Sequence, residues 1–256
     1  MSFWQKVIAN WRDVRTFGSG VLMRHIRSGT PIPLRGLGQI ALRHSNSDME
    51  CFRQVFQRGE YNIGHLKAVQ DRINRRYEEI VESGLTPVIV DGGANVGASA
   101  IWFAKQFSLA RIKAIEPDEA NFRLLKINTS TYQNVDPVFA ALGATPGFVE
   151  VTNSEGPGWA VQTRRADVGL PVTGVTEAQL SVENSRLFLV KIDIEGFEID
   201  VFSGRLDWIA DAYVVVIEPH DWMLPGEFSS RNFMKAMVEH EFEIFIIGEN
   251  LFFVRN

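Results

Sequence analysis

The chain has 256 residues, 45% of them hydrophobic and 22% charged, which is enough apolar material to bury a substantial core. A formal net charge of −5 and a pI near 5.6 exclude the concentrated basic face that a grip on nucleic acid needs. One cysteine, Cys51, excludes an intramolecular disulfide, no apolar run reaches the roughly 20 residues of a membrane span, and the N-terminus lacks a signal peptide's apolar core, so a cytoplasmic location is expected.

Residues 2 to 15 set Phe3, Val7, Trp11 and Val14 on one helical stripe, with Lys6, Arg12 and Arg15 interspersed. Such a stripe packs on its own domain or, through tryptophan and basic residues, makes a peripheral membrane contact. The run S-G-T-P-I-P-L-R-G-L-G from Ser28 to Gly38 predicts a loop, followed by a short strand in Q-I-A-L-R-H. Ser47-Asp48-Met49-Glu50 is a capping box opening a helix through Phe52, Val55 and Phe56, which Glu60-Tyr61-Asn62 ends. A helix over 66–82 carries Leu66, Val69, Ile73, Tyr77 and Ile80, and Gly84 and Pro87 stop it. Residues 1–85 are thus expected to form a helical extension or lid, and 86–256 the main domain.

From Pro87 onward apolar runs alternate with helical patterns. Strands are predicted at 88–91, 111–116, 135–142, 187–193 and 213–218, with helices at 97–107, 118–130 and 197–208. Such alternation implies right-handed crossovers and a doubly wound parallel sheet covered on both faces. At the end, Glu243–Ile247, a polar Gly248-Glu249-Asn250 turn and Leu251–Val254 predict an antiparallel hairpin on the sheet edge. An α/β sheet finished in this way is the plan of class I methyltransferases. Between Thr145 and Ser185 the pattern weakens into turn residues, which predicts an acceptor-binding excursion or a mobile loop.

Val88 to Gly97 reads V-I-V-D-G-G-A-N-V-G, an apolar strand running into an acidic, glycine-rich turn. Glycines permit positive φ and close backbone approach, and the following helix presents unpaired N–H groups, so a ligand can rest against bare backbone there. Glu116 comes 19 residues past Gly97 at the end of the next strand, where a carboxylate accepts hydrogen bonds from ribose hydroxyls. The spacing excludes two relatives. A phosphate-binding P-loop would need lysine where Ala98 stands, and the dinucleotide fingerprint would need a different glycine spacing without Asp91, whose charge repels phosphate. An adenosine-bearing ligand with a cationic end and no phosphate is S-adenosylmethionine, whose ammonium and sulfonium favour nearby carboxylates.

A second constellation is L-F-L-V-K-I-D-I-E-G-F-E from Leu187 to Glu198, where strand spacing puts Lys191, Asp193 and Glu195 on one face. At the carboxyl end of a sheet strand these groups are candidates for acid–base work; the alternative is that Asp193 and Glu195 only stabilise the start of the next helix.

The turn V-D-G-G-A-N-V-G, the segment A-I-E-P-D-E-A-N-F-R-L-L-K-I-N and V-K-I-D-I-E-G-F-E together resemble the FkbM-type S-adenosylmethionine-dependent methyltransferases, over about residues 85 to 255. The resemblance implies O-methylation of hydroxyl groups on sugars of glycolipids and polysaccharides or on secondary metabolites, with S-adenosylhomocysteine as product. It also implies that Asp91, Gly93, Asn95 and Gly97 line the methionine end of the cofactor and that Glu116 holds the ribose. Gly92 departs from the family, which usually carries valine or another apolar residue there.

An alcohol is a poor nucleophile at neutral pH and needs a base or a metal. His220 is the preferred base, because V-V-V-I-E-P-H-D ends a strand predicted beside that of Asp193. Asp193 would orient it or hold the acceptor hydroxyl. In a metal-assisted alternative, Asp193, Glu218 and His220 would hold one cation, magnesium being less favoured with a histidine ligand. Trp159 and Trp222 are candidates to stack on a sugar ring. Two rivals are a non-catalytic scaffold on the same fold and a nucleotide-sugar epimerase or dehydrogenase; none of the four tyrosines has the lysine four residues on that the latter usually requires.

Overall fold

A computed structural model describes residues 3–44, 46–152, 162–223 and 225–256. The chain opens with helix α1 (Phe3–Phe17), a 3-10 turn (Ser19–His25), strands β1 (Pro31–Leu34) and β2 (Gly38–Ala41), and helix α2 (Asn46–Arg53), which continues as a π turn to Arg58. β1 and β2 form an antiparallel hairpin where a loop was expected from 28 to 38. Pro31 and Pro33 disguise the strand in the sequence, but they occupy its exposed positions while Ile32 and Leu34 are buried, the arrangement in which an edge strand tolerates proline. The α1 stripe is split: Val14 packs inward, whereas Trp11 is 62% exposed under the Arg15 guanidinium.

Helix α3 (Lys67–Glu82) leads into strand β3 (Thr86–Gly92), helix α4 (Ala98–Gln106), strand β4 (Arg111–Glu116), helix α5 (Glu119–Thr129) and strand β5 (Val135–Phe139). A single strand was expected over 135–142. Instead the run breaks at Ala140, and β6 (Ala141–Leu142) leaves for a second sheet with β7 (Gly147–Thr152), β8 (Gln162–Ala166) and β9 (Leu170–Thr173), in the order β6-β9-β7-β8. Much of the turn-rich stretch between 145 and 185 is therefore regular structure, built from long-range pairings that local periodicity does not encode.

Helix α6 (Val175–Leu180), strand β10 (Ser185–Ile192), helices α7 (Glu198–Val201) and α8 (Asp207–Asp211), strand β11 (Val214–Ile217), helix α9 (Arg231–Val238) and strands β12 (Phe242–Ile247) and β13 (Asn250–Arg255) complete the chain. The one helix expected over 197–208 is two short ones, separated around Gly204, where an added Cβ would lie 2.6 Å from that of Ala144. Arg165 makes a two-pronged ion pair with Asp200 at 2.7 Å, and Asp200 also accepts the Ala144 N–H, so the small sheet is tied to α7.

The main sheet runs β12-β13-β11-β10-β3-β4-β5, parallel from β11 to β5 and finished by the antiparallel β12–β13 hairpin. Val88, Val90, Val190, Val215 and Ile217 lie in a core on one face, and Ile89, Ile112, Leu189, Val214 and Val216 lie in a core on the other. Strands buried on both faces explain the unbroken apolar runs. A third cluster joins Ile32, Ile40, Phe52 and Val55 to Ile101 and Leu124 of α4 and α5. Asn128 fastens it by accepting the Ala41 N–H at 2.7 Å and donating to the Ala41 and Val96 carbonyls. Strand order reverses between β3 and β10, and the carboxyl ends of those two strands form the crevice in which open α/β sheets bind ligands.

Candidate active site

Parallel pairing sets Lys191 beside Asp91 and Ile192 beside Gly92, so the turns after β3 and β10 meet. Gly93 takes φ +73° there, and a Cβ on it would lie 1.8 Å from the carbonyl oxygen of Asp193. Only glycine fits. The Gly93 and Ala94 N–H groups donate to the Ile115 carbonyl at 3.0 and 2.9 Å, closing the turn against β4. Gly92 is closed over as well, since a Cβ would lie 2.5 Å from Leu142, which accounts for a missing side chain at the position where the sequence departs from the family pattern.

Glu116 is buried at the end of β4. Its carboxylate accepts the Asn95 N–H at 2.8 Å and the Asp118 N–H at 2.9 Å, and Asn121 lies 3.4 Å away. Burial pushes this carboxyl up to about 7, against the lowering effect of those N–H donors. Glu116 and Asn121 line a cleft with Gly93, Asn95, Pro117 and Leu142.

Beside it lies a cavity of about 310 Å³ with Glu50, Cys51, Gln54 and Tyr61 on one wall and Lys191, Asp193, Glu195, Glu218 and His220 on the other. Gly93, Asn95, Asp193 and Glu195 line both spaces. The Lys191 ammonium donates to the Gly92 and Gly93 carbonyls at 3.1 and 2.7 Å and sits 3.3 Å from Asp91 and 3.4 Å from Asp193. Burial opposes its charge, but the Asp193 and Asp91 carboxylates hold its pKa well above the ordinary value.

His220, fully buried after β11, meets Glu198 Oε1 at 2.8 Å through Nδ1. Its Nε2 lies 3.5 Å from Glu195, 3.6 Å from Asp193 and 3.9 Å from Glu218. Burial works against protonation, yet Glu198, Asp193 and Glu195 outweigh it and raise the imidazole to about 9. Burial, then the Asp193 charge, raises Glu195 and Glu218 to about 8 each.

Several expectations are changed by this geometry. His220 is not a freely exposed base: its ring is buried with Nδ1 held by Glu198, and Nε2 is turned toward Asp193 and Glu195. Strand spacing does not bring Glu195 to its place: β10 ends at Ile192 and Glu195 turns back at φ +55°. Asp91 lies beneath the cavity, accepting from Ser99 Oγ at 2.7 Å. Gly97 faces Leu125 and Thr129, each about 3 Å from a hypothetical Cβ, so its role is the close approach of α5. Lys191 acts on the turn's carbonyls and on two carboxylates. Trp222 reaches the cavity and is 67% exposed, whereas Trp159 lies outside the described residues. Glu198 has no role in the sequence reading; its only signal there is its place at the end of K-I-D-I-E-G-F-E.

The residues fit an adenosine-bearing cation: a bare-backbone cradle at Gly93 and a buried carboxylate, Glu116, on the adjoining cleft. The description of the methyltransferase FkbM domain matches residues 91–244. This chain belongs to the FkbM methyltransferase family. As an FkbM enzyme it is an S-adenosylmethionine-dependent methyltransferase.

Solved structures similar to this FkbM protein include the cofactor-bound Rv0187 from MTB, at 13% identity over 82% of this chain and 98% of that one with a TM-score of 0.41. The O-methyltransferase from Bacillus cereus in complex with SAH is 11% identical over 82% of this chain and 95% of that one, with a TM-score of 0.38. No curated protein sequence matches the chain. Among the described residues no helix is long and apolar enough to cross a membrane.

Proposed function

We propose that this FkbM methyltransferase transfers a methyl group to a hydroxyl oxygen of a small molecule or glycan, namely a sugar, a polysaccharide precursor or a secondary metabolite. The observation that carries this reading is the junction: Asp193 and Glu195 line both the cleft assigned here to the cofactor and the larger cavity beside it. When bound, S-adenosylmethionine supplies a methyl carbon on cationic sulfur, open to in-line attack.

The chain's own groups divide the remaining work. Glu116 and Asn121 hold the ribose end, and the Gly93–Asn95 backbone supports the methionine end. Asp193 accepts a hydrogen bond from the acceptor hydroxyl and keeps it on the side of the cofactor, a positioning effect that carries much of the rate of such a displacement. The proton released passes into the cluster of Asp193, Glu195, Glu218 and His220, with Glu198 fixing the ring's orientation. Lys191 holds Asp193 in place from below.

Residues 1–85 supply the opposite wall through Glu50, Cys51, Gln54 and Tyr61, which supports the reading of this extension as a lid over the acceptor. Carboxylates on both walls favour a neutral or cationic acceptor over a phosphorylated one. A mass-spectrometric screen of sugar and polyketide hydroxyl acceptors with S-adenosylmethionine tests the proposal through a gain of one methyl group. Asp193→Asn should leave cofactor affinity nearly intact and depress turnover. Cofactor binding without turnover on any hydroxyl acceptor would favour the scaffold reading.

A further inference from the structure

We propose that Asp193, Glu195 and His220 bind one divalent metal ion, with Glu198 anchoring the histidine from behind; its catalytic meaning, though not the binding itself, rests on the O-methyltransferase reading. Asp193, Glu195 and His220 each offer one donor atom, and the three atoms lie within 4.8 Å of one another. The Nε2 separations of 3.5 Å to Glu195 Oε2 and 3.6 Å to Asp193 Oδ1 are too long for good hydrogen bonds. They are close to the roughly 3.0–3.5 Å between neighbouring ligand atoms that each lie about 2.1 Å from one ion.

The histidine supplies independent support. Its side chain is 1% exposed, as is that of Glu198, and the 2.8 Å contact between them fixes Nδ1 as the nitrogen that carries hydrogen. Nε2 is thereby aimed into the cluster, and no described residue hydrogen-bonds to it. A carboxylate behind an imidazole whose other nitrogen faces further carboxylates is the outer-shell arrangement of metal-binding histidines. Glu195 Oε2 is buried and likewise without a hydrogen-bond partner among the described residues.

Lys191 does not compete for the ion's place, because it approaches Asp193 through Oδ2 and leaves Oδ1 to the cluster. Glu218, 3.9 Å from Nε2, stands at the edge, so Glu195 takes the position the sequence suggested for Glu218. The site opens on the 310 Å³ cavity, which leaves a coordination position for an acceptor hydroxyl, as catalytic metal sites require. Two carboxylates and an imidazole suit manganese or zinc better than magnesium. An ion there would act as a Lewis acid on the acceptor hydroxyl and ease loss of its proton.

The test is calorimetric titration of the full chain, freed of metal by a chelator, with Mn²⁺ alone and with Zn²⁺ alone, alongside the metal content of the protein as purified. One ion per chain is expected. His220→Ala should abolish that binding, and the volume-conserving Glu198→Gln should weaken it about 10–100-fold. S-adenosylmethionine affinity, measured on the same samples, should stay within a few-fold of the parent and show that both variants are folded. Absence of 1:1 binding by either ion, or binding undiminished in His220→Ala, overturns the proposal. Metal binding without methyl transfer to any hydroxyl would overturn the O-methyltransferase reading alone.

Discussion

Lys191 and Asp91 face each other in register across the parallel β10–β3 pair, the ammonium 3.3 Å from Oδ1 and both side chains removed from solvent. The same ammonium holds the carbonyls of Gly92 and Gly93, so one buried cation sets the geometry of the cofactor turn. Removing it would strand the Asp91 charge in the core. Lys191→Met should therefore cost about 3–5 kcal/mol of stability, the usual penalty for breaking a buried pair from one side. Urea unfolding measures this. A loss below about 1 kcal/mol would mean that Asp91 finds another partner.

Glu116 sits near neutrality because burial disfavours its charge, and this has opposite consequences for the fold and for the ligand. Its pKa is raised from 4.5 to about 7, so its contribution to folding is full below 4.5 and is lost as pH rises through about 7. Ribose hydroxyls, however, donate to the ionised form. Cofactor affinity should thus rise with pH across about 6 to 8 and flatten above, and Glu116→Ala should both weaken binding and remove that dependence. Replacing a charge-assisted contact by none should cost about 1.5–3 kcal/mol, or roughly 10–150-fold in Kd. Calorimetry at several pH values checks both; unchanged affinity in the variant would remove Glu116 from the site.

At Gly93 two effects add. A side chain would face the left-handed φ and would collide with the Asp193 carbonyl, a backbone atom with little freedom to move. Gly93→Ala should lose about 2–6 kcal/mol, combining backbone strain with overpacking. Cofactor binding should fall with it, because relief requires the two strand ends to separate. A variant with parental Tm and affinity would show that the turn is looser than its contacts indicate.

Cys51 lines the acceptor cavity, yet burial pushes its thiol up to about 12. Iodoacetamide at pH 7.5 should label the native protein far more slowly than the unfolded chain, since the thiolate is the reactive form. Native labelling at the rate of a free cysteine would sink this expectation.

The strand–helix alternation after Pro87 was legible because two-sided burial leaves unbroken apolar runs, as in Val88–Val90 and Val214–Ile217. The β1 strand was hidden by Pro31 and Pro33, and the β6–β9 sheet by pairings between residues such as Ala141 and Val172 that are far apart in the chain. The N-terminal wall of the cavity was equally invisible, since Glu50 and Tyr61 reach it only through packing on α4 and α5.

From its sequence alone, the chain determined the sheet plan, the carboxylate-led glycine turn and Glu116 at the end of the next strand, because each depends on local periodicity or short spacing. Folding decided the rest. Glu198 and His220 are 22 residues apart and meet only because β10 and β11 pair in parallel, with the intervening helices carrying the chain back to the start of β11. The burial of that histidine, the burial of Asp91 and the place of Glu195 follow from the same long-range packing, which sets which charged groups share a region shielded from water.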